Sequence, residues 1–123
     1  MDILFQNMYD IISQTLPDSW DKLVIHASFF EDACDIKYYV RQKGKGFQDC
    51  FSLDLSKDEL LSTLHFLYEE ITAVRKSLPE KDRWNDITVI IDDEGNLNTK
   101  YDYEGSLISD ENCQKAWLSK YLK

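Results

Sequence analysis

Asp21-Lys22-Leu23-Val24-Ile25-His26-Ala27-Ser28-Phe29-Phe30 is the stretch that decides the fold. Leu23, Ile25, Ala27 and Phe29 alternate with Val24, His26, Ser28 and Phe30, a period of two that sends the first set to one side of a pleated strand and the second to the other. One face is wholly apolar and the other mixed, so this strand has a core on one side. The segment that precedes it has a different period. Ile3, Leu4, Met8, Ile11 and Ile12 recur at helical spacing, which predicts a helix over residues 2–16 that Pro17 ends.

Downstream the alternation returns. Glu31-Asp32-Ala33 reads as a turn into a second strand, where Ile36, Tyr38 and Val40 oppose Lys37, Tyr39 and Arg41. Lys43-Gly44-Lys45-Gly46 supplies a hairpin connection, and residues 47–53 read as a third strand, with Cys50 in its interior. Ser56-Lys57-Asp58-Glu59 matches a capping box. It opens a helix whose Leu60, Leu64, Leu67, Ile71, Val74 and Leu78 form one stripe before Pro79. Residues 87–91 are almost all apolar, as in a strand covered on both faces. Asp93-Glu94-Gly95-Asn96 turns the chain, Leu97, Thr99, Tyr101 and Tyr103 line one face of a fifth strand, and Ser109-Asp110-Glu111 caps a last helix anchored by Trp117, Leu118, Tyr121 and Leu122. The order is α-β-β-β-α-β-β-α. It predicts one α+β domain over residues 1–123, an antiparallel sheet with helices packed on one face.

The composition fits a folded, reduced, soluble chain. There are 123 residues, 43% hydrophobic and 13% aromatic, enough for a core without disulfides or metal. No apolar run reaches the ~20 residues that span a bilayer, and the N-terminus lacks a signal peptide's basic region. Three separated cysteines (Cys34, Cys50, Cys113) encode neither a disulfide framework nor a zinc site. These features point to the cytoplasm.

Charge is the more informative property. The net charge is −9. Residues 1–35 hold seven acids and one base, residues 36–91 nine of each, and residues 92–111 again seven acids and one base. Such a chain repels phosphate backbones and anionic membranes but steers a basic protein partner toward itself. Asp92, Asp93 and Glu94 at the turn, Asp102 and Glu104 beyond it, and Asp110 and Glu111 at the last helix are the candidate partner-binding residues.

The motifs of catalysis are absent. Neither His26 nor His65 has partners at metal-ligand spacing. Asp92 onward fails the EF-hand pattern, because glycine falls fourth and Tyr103 occupies the twelfth position. The lysine–glycine turn at 43–46 is too short for a phosphate loop. No cofactor or metal site is expected, and the expectation is a binding protein and not an enzyme. A cysteine hydrolase would need Cys34 or Cys50 in contact with His26 or His65. A small acidic adaptor or homodimeric structural protein is the other alternative, and a monomer or weak homo-oligomer is expected.

The chain also resembles the YezG-like immunity family of bacteria. The likeness runs from the N-terminal helix into Leu16-Pro17-Asp18-Ser19-Trp20-Asp21-Lys22 and through Ile36-Lys37-Tyr38-Tyr39-Val40. It continues with Trp84-Asn85-Asp86-Ile87-Thr88-Val89, Gly95 and Tyr101-Asp102-Tyr103, and closes with Trp117 and Lys120-Tyr121-Leu122. The resemblance implies a cytoplasmic inhibitor that binds a toxin domain, often a nuclease delivered by contact-dependent or secreted systems, and it implies no active site.

Overall fold

A computed structural model describes residues 2–30, 33–103 and 111–122. Helix α1 (Asp2–Ser13) leads into strand β1 (Trp20–Phe30), followed by β2 (Ala33–Gln42) and a short β3 (Phe47–Asp49). Helix α2 (Lys57–Ser77) crosses to β4 (Asp86–Asp92) and β5 (Leu97–Asp102), and α3 (Glu111–Tyr121) closes the chain. The strands form one antiparallel sheet ordered β3-β2-β1-β4-β5. The α+β class, the element order and the antiparallel sheet are those expected from the sequence.

Strand β1 is central because it is paired on both sides. Ile25 lies opposite Tyr38 on one side and Val89 on the other, and Ala27 lies between Ile36 and Ile87. This register aligns the apolar set of every central strand on one face. There Leu23, Ile25, Ala27 and Phe29 join Tyr38, Val40, Ile87, Val89 and Ile91, and α1 and α2 cover them with Leu4, Met8, Ile12, Leu60, Leu67 and Ile71. Burial of this continuous apolar layer is the main favourable term in folding.

The opposite face differs from the expectation. The helices α1 and α2 share one face, but the Trp117 side chain of α3 lies against the other. Its indole is 4.6 Å from the His26 ring and 5.5 Å from that of Tyr39, and Nε1 donates to Thr88 Oγ1 at 3.0 Å. His26, Tyr39 and Thr88 all project from the mixed face. A half-polar face is a poor seat for a long apolar stripe, and α3 meets it with one amphipathic ring.

Three local boundaries also move. Helix α1 stops at Ser13 instead of residue 16, because Thr15 turns inward: its hydroxyl donates to Ile12 O at 2.7 Å and lies 2.8 Å from the Tyr38 hydroxyl. The third strand ends at Asp49, whose carboxylate accepts from Phe51 N and Ser52 N and so caps a single 3-10 turn over Cys50–Ser52. Cys50 therefore sits in that turn, buried, and not inside a strand. Strand β2 already begins at Ala33. The expected N-cap is formed, with Ser56 Oγ accepting from Glu59 N at 3.1 Å.

Candidate partner-binding surface

The β4–β5 turn is built by its first acid. Asp92 Oδ1 accepts from Glu94 N at 3.0 Å and Asn96 N at 2.8 Å, and Oδ2 accepts from the Asn96 amide at 2.8 Å. These bonds, those from Asn96 foremost, hold the Asp92 carboxyl below its ordinary value. Gly95 follows at φ +87°, a conformation that glycine adopts without a steric cost. Asp92 thus carries charge but spends its lone pairs on the turn. Asp93 donates its backbone N–H to Asp21 O, and its carboxylate lies 3.5 Å from Lys43 Nζ. Glu94 is exposed, and its carboxylate has no side-chain partner among the described residues.

Beside this turn is a cleft of about 570 Å³, walled by Phe5, Gln6 and Tyr9 of α1, by Trp20, and by the hairpin from Ile91 to Leu97. The Tyr9 and Trp20 rings are 6.2 Å apart. Leu97 is 45% exposed at the rim. Phe5 and Tyr9 are four residues apart, and flank the buried Leu4–Met8–Ile12 stripe on one side of α1. A smaller groove of about 450 Å³ runs along the other side of α1, where Asp10, Ile11 and Gln14 meet Glu59, Thr63 and Phe66 of α2.

Four of the seven candidate acids have described side chains, and these fall in two places. Asp92, Asp93 and Glu94 are together. Asp102 ends β5, five residues beyond Leu97, or about 17 Å at the usual strand rise. Glu104 and Asp110 lie outside the described residues, as does the side chain of Glu111. Sequence reasoning missed the aromatic wall beside the acids. It also missed Lys43, which partly neutralises Asp93.

The sheet separates His26 from both cysteines that a cysteine hydrolase would pair with it. Cys34 and Cys50 pack on the α1–α2 face, whereas His26 projects from the α3 face. Burial pushes the Cys34 thiol up to about 12, with Asp35 adding to it, and raises that of Cys50. His65 is exposed on α2, 2.6 Å from Glu69. His26 Nε2 is 3.3 Å from Asp86 Oδ1, both buried; the distance is that of an ion pair, but neither atom has a well-formed hydrogen bond. Among the described residues no three His, Cys, Asp or Glu side chains could hold a metal ion, and no helix is long and apolar enough to cross a membrane.

Comparison with known proteins matches residues 1–123 to the family described as "Immunity protein YezG-like". A protein named Immunity protein YezG from Bacillus spizizenii is 24% identical over 135 residues, covering 99% of this chain and 82% of that protein. Its namesake from Bacillus subtilis is 25% identical over 119 residues, covering 89% of this chain and 78% of that protein.

Proposed function

The chain belongs to the YezG-like immunity family, and from that premise we propose that it binds and neutralises a cognate bacterial toxin domain in the cytoplasm. We take the toxin to be a basic nuclease. The inhibitor covers the cationic surface that would hold the substrate's phosphates, and it acts by stoichiometric binding instead of catalysis. The whole-length family match carries the immunity reading. The choice of a nuclease rests on charge: a net −9, with Asp92, Asp93 and Glu94 gathered at one turn, is complementary to a phosphate-binding surface.

Co-expression with a candidate toxin domain drawn from the genes beside this one tests the reading. The expected result is restored growth, a purified complex and loss of nuclease activity in it. Association should slow as salt rises, because exposed charges are screened beyond about 8 Å at physiological ionic strength. A chain that neither protects nor binds that domain sinks the proposal. Protection against a toxin without nuclease activity would remove only the nuclease part.

A further inference from the structure

We propose that the cleft between α1 and the β4–β5 hairpin is the socket for an arginine-bearing segment of the toxin; this rests on the immunity reading above. The wall and the rim differ in chemistry. Phe5, Tyr9 and Trp20 supply flat ring surfaces, and Asp93 and Glu94 supply carboxylates at the edge. A guanidinium suits both: it is planar, stacks on aromatic faces, is weakly hydrated, and donates a fork of N–H groups to a carboxylate. A lysine ammonium has one compact, strongly hydrated charge and loses more on entering such a cleft.

The acids are available for this. Glu94 has no cation beside it among the described residues, and the Asp93–Lys43 contact at 3.5 Å is open to water at both ends, so it exchanges readily for a better partner. Asp92 holds the turn rigid from within, and a carboxylate on a preformed turn loses little freedom on binding. At about 570 Å³ the cleft lies in the range of ligand pockets. It therefore admits the arginine together with adjoining residues. The exposed apolar side of Leu97 gives those neighbours a surface to dry.

The test measures affinity between the full chain and the toxin domain that the co-expression experiment identifies. Leu97→Arg places a guanidinium of the protein's own at the cleft, and Glu94→Lys reverses the rim charge; both positions are exposed, and an unchanged urea midpoint is expected of each variant. Each should weaken binding by at least ~30-fold, the scale of a hot spot. Phe66→Glu in the groove on the far side of α1 should change it less than ~3-fold. One Arg→Lys replacement in the toxin should reproduce the loss and be non-additive with Glu94→Lys. Cleft variants that bind like the parent while Phe66→Glu fails would overturn the cleft and leave the immunity reading standing. A parent chain that does not bind at all takes both down.

Discussion

Replacing Trp117 with alanine separates the two faces of the sheet energetically. The indole is 8% exposed, and burying a tryptophan removes roughly 150–250 Å² from water. At about 25 cal/mol per Å² that is ~4–6 kcal/mol as an upper bound, and Trp→Ala changes in cores cost ~3–5 kcal/mol. The Nε1–H bond to Thr88 adds about 1 kcal/mol. The loss is limited by what else holds α3. From Lys115 onward every other α3 side chain is exposed or half-buried, so the variant helix detaches before the sheet yields. An 11-residue helix does not persist alone in water. The expected cost is therefore ~3 kcal/mol, at the low end of the range. Urea unfolding should show it together with a smaller m-value, since the variant has less surface left to expose. Hydrogen exchange should lose protection in α3 and keep it in β1, α1 and α2. Trp117→Phe, which keeps a ring but not the donor, should cost about 1 kcal/mol. A Trp117→Ala loss under ~1 kcal/mol with α3 still protected, or a loss of protection shared equally by α1 and α2, would refute this account.

Ser56→Ala should cost about 1 kcal/mol in urea unfolding, because Glu59 N loses its cap acceptor; Ser56→Asp should retain most of the stability. Alkali should destabilise the fold in a defined window. Burial raises Cys34 from 9.0 and Tyr39 from 10.0, each to about 12. A raised folded value means that the native state holds its proton more tightly. Its contribution is complete below pH 9 and is lost as pH climbs toward 12. The melting temperature should fall across that range, less steeply in Cys34→Ala, and a flat profile would show that neither group is buried as described.

Regularities within ten or so residues were legible in the sequence, and contacts between distant segments were not. The alternation of Leu23 to Phe29 placed β1, and the Leu60-to-Leu78 stripe placed α2, because each pattern repeats the geometry that produces it. The β2–β3 and β4–β5 turns are marked by Gly44 and Gly95, both at positive φ. Alternation alone predicts too long a β3, because a period-two pattern contains no information about the Asp49 carboxylate, which captures the next amides. The mixed face of β1 could be read, but not its cover: Trp117 lies 29 positions beyond Thr88. The site divides in the same way. Asp92, Asp93 and Glu94 are grouped by adjacency. The cleft needs Phe5 and Tyr9 to meet a hairpin more than eighty residues later, and Lys43 reaches Asp93 from another hairpin.

The strand order has a consequence for how the protein is made. Strand β1 can pair with β2 once residue 42 has emerged from the ribosome, but its other edge waits for Asp86–Asp92 to follow. About fifty residues, including all of α2, separate those moments, which at ribosomal speeds is roughly 3–10 s. During that interval Leu23, Ile25 and Ala27 border an open row of backbone donors and acceptors, the kind of edge through which chains join one another. The N-terminal helix α1 is already complete by then, and it supplies Leu4, Met8 and Ile12 to the same apolar face. Placing a helix ahead of the central strand gives the nascent sheet an early cover on its stickiest side.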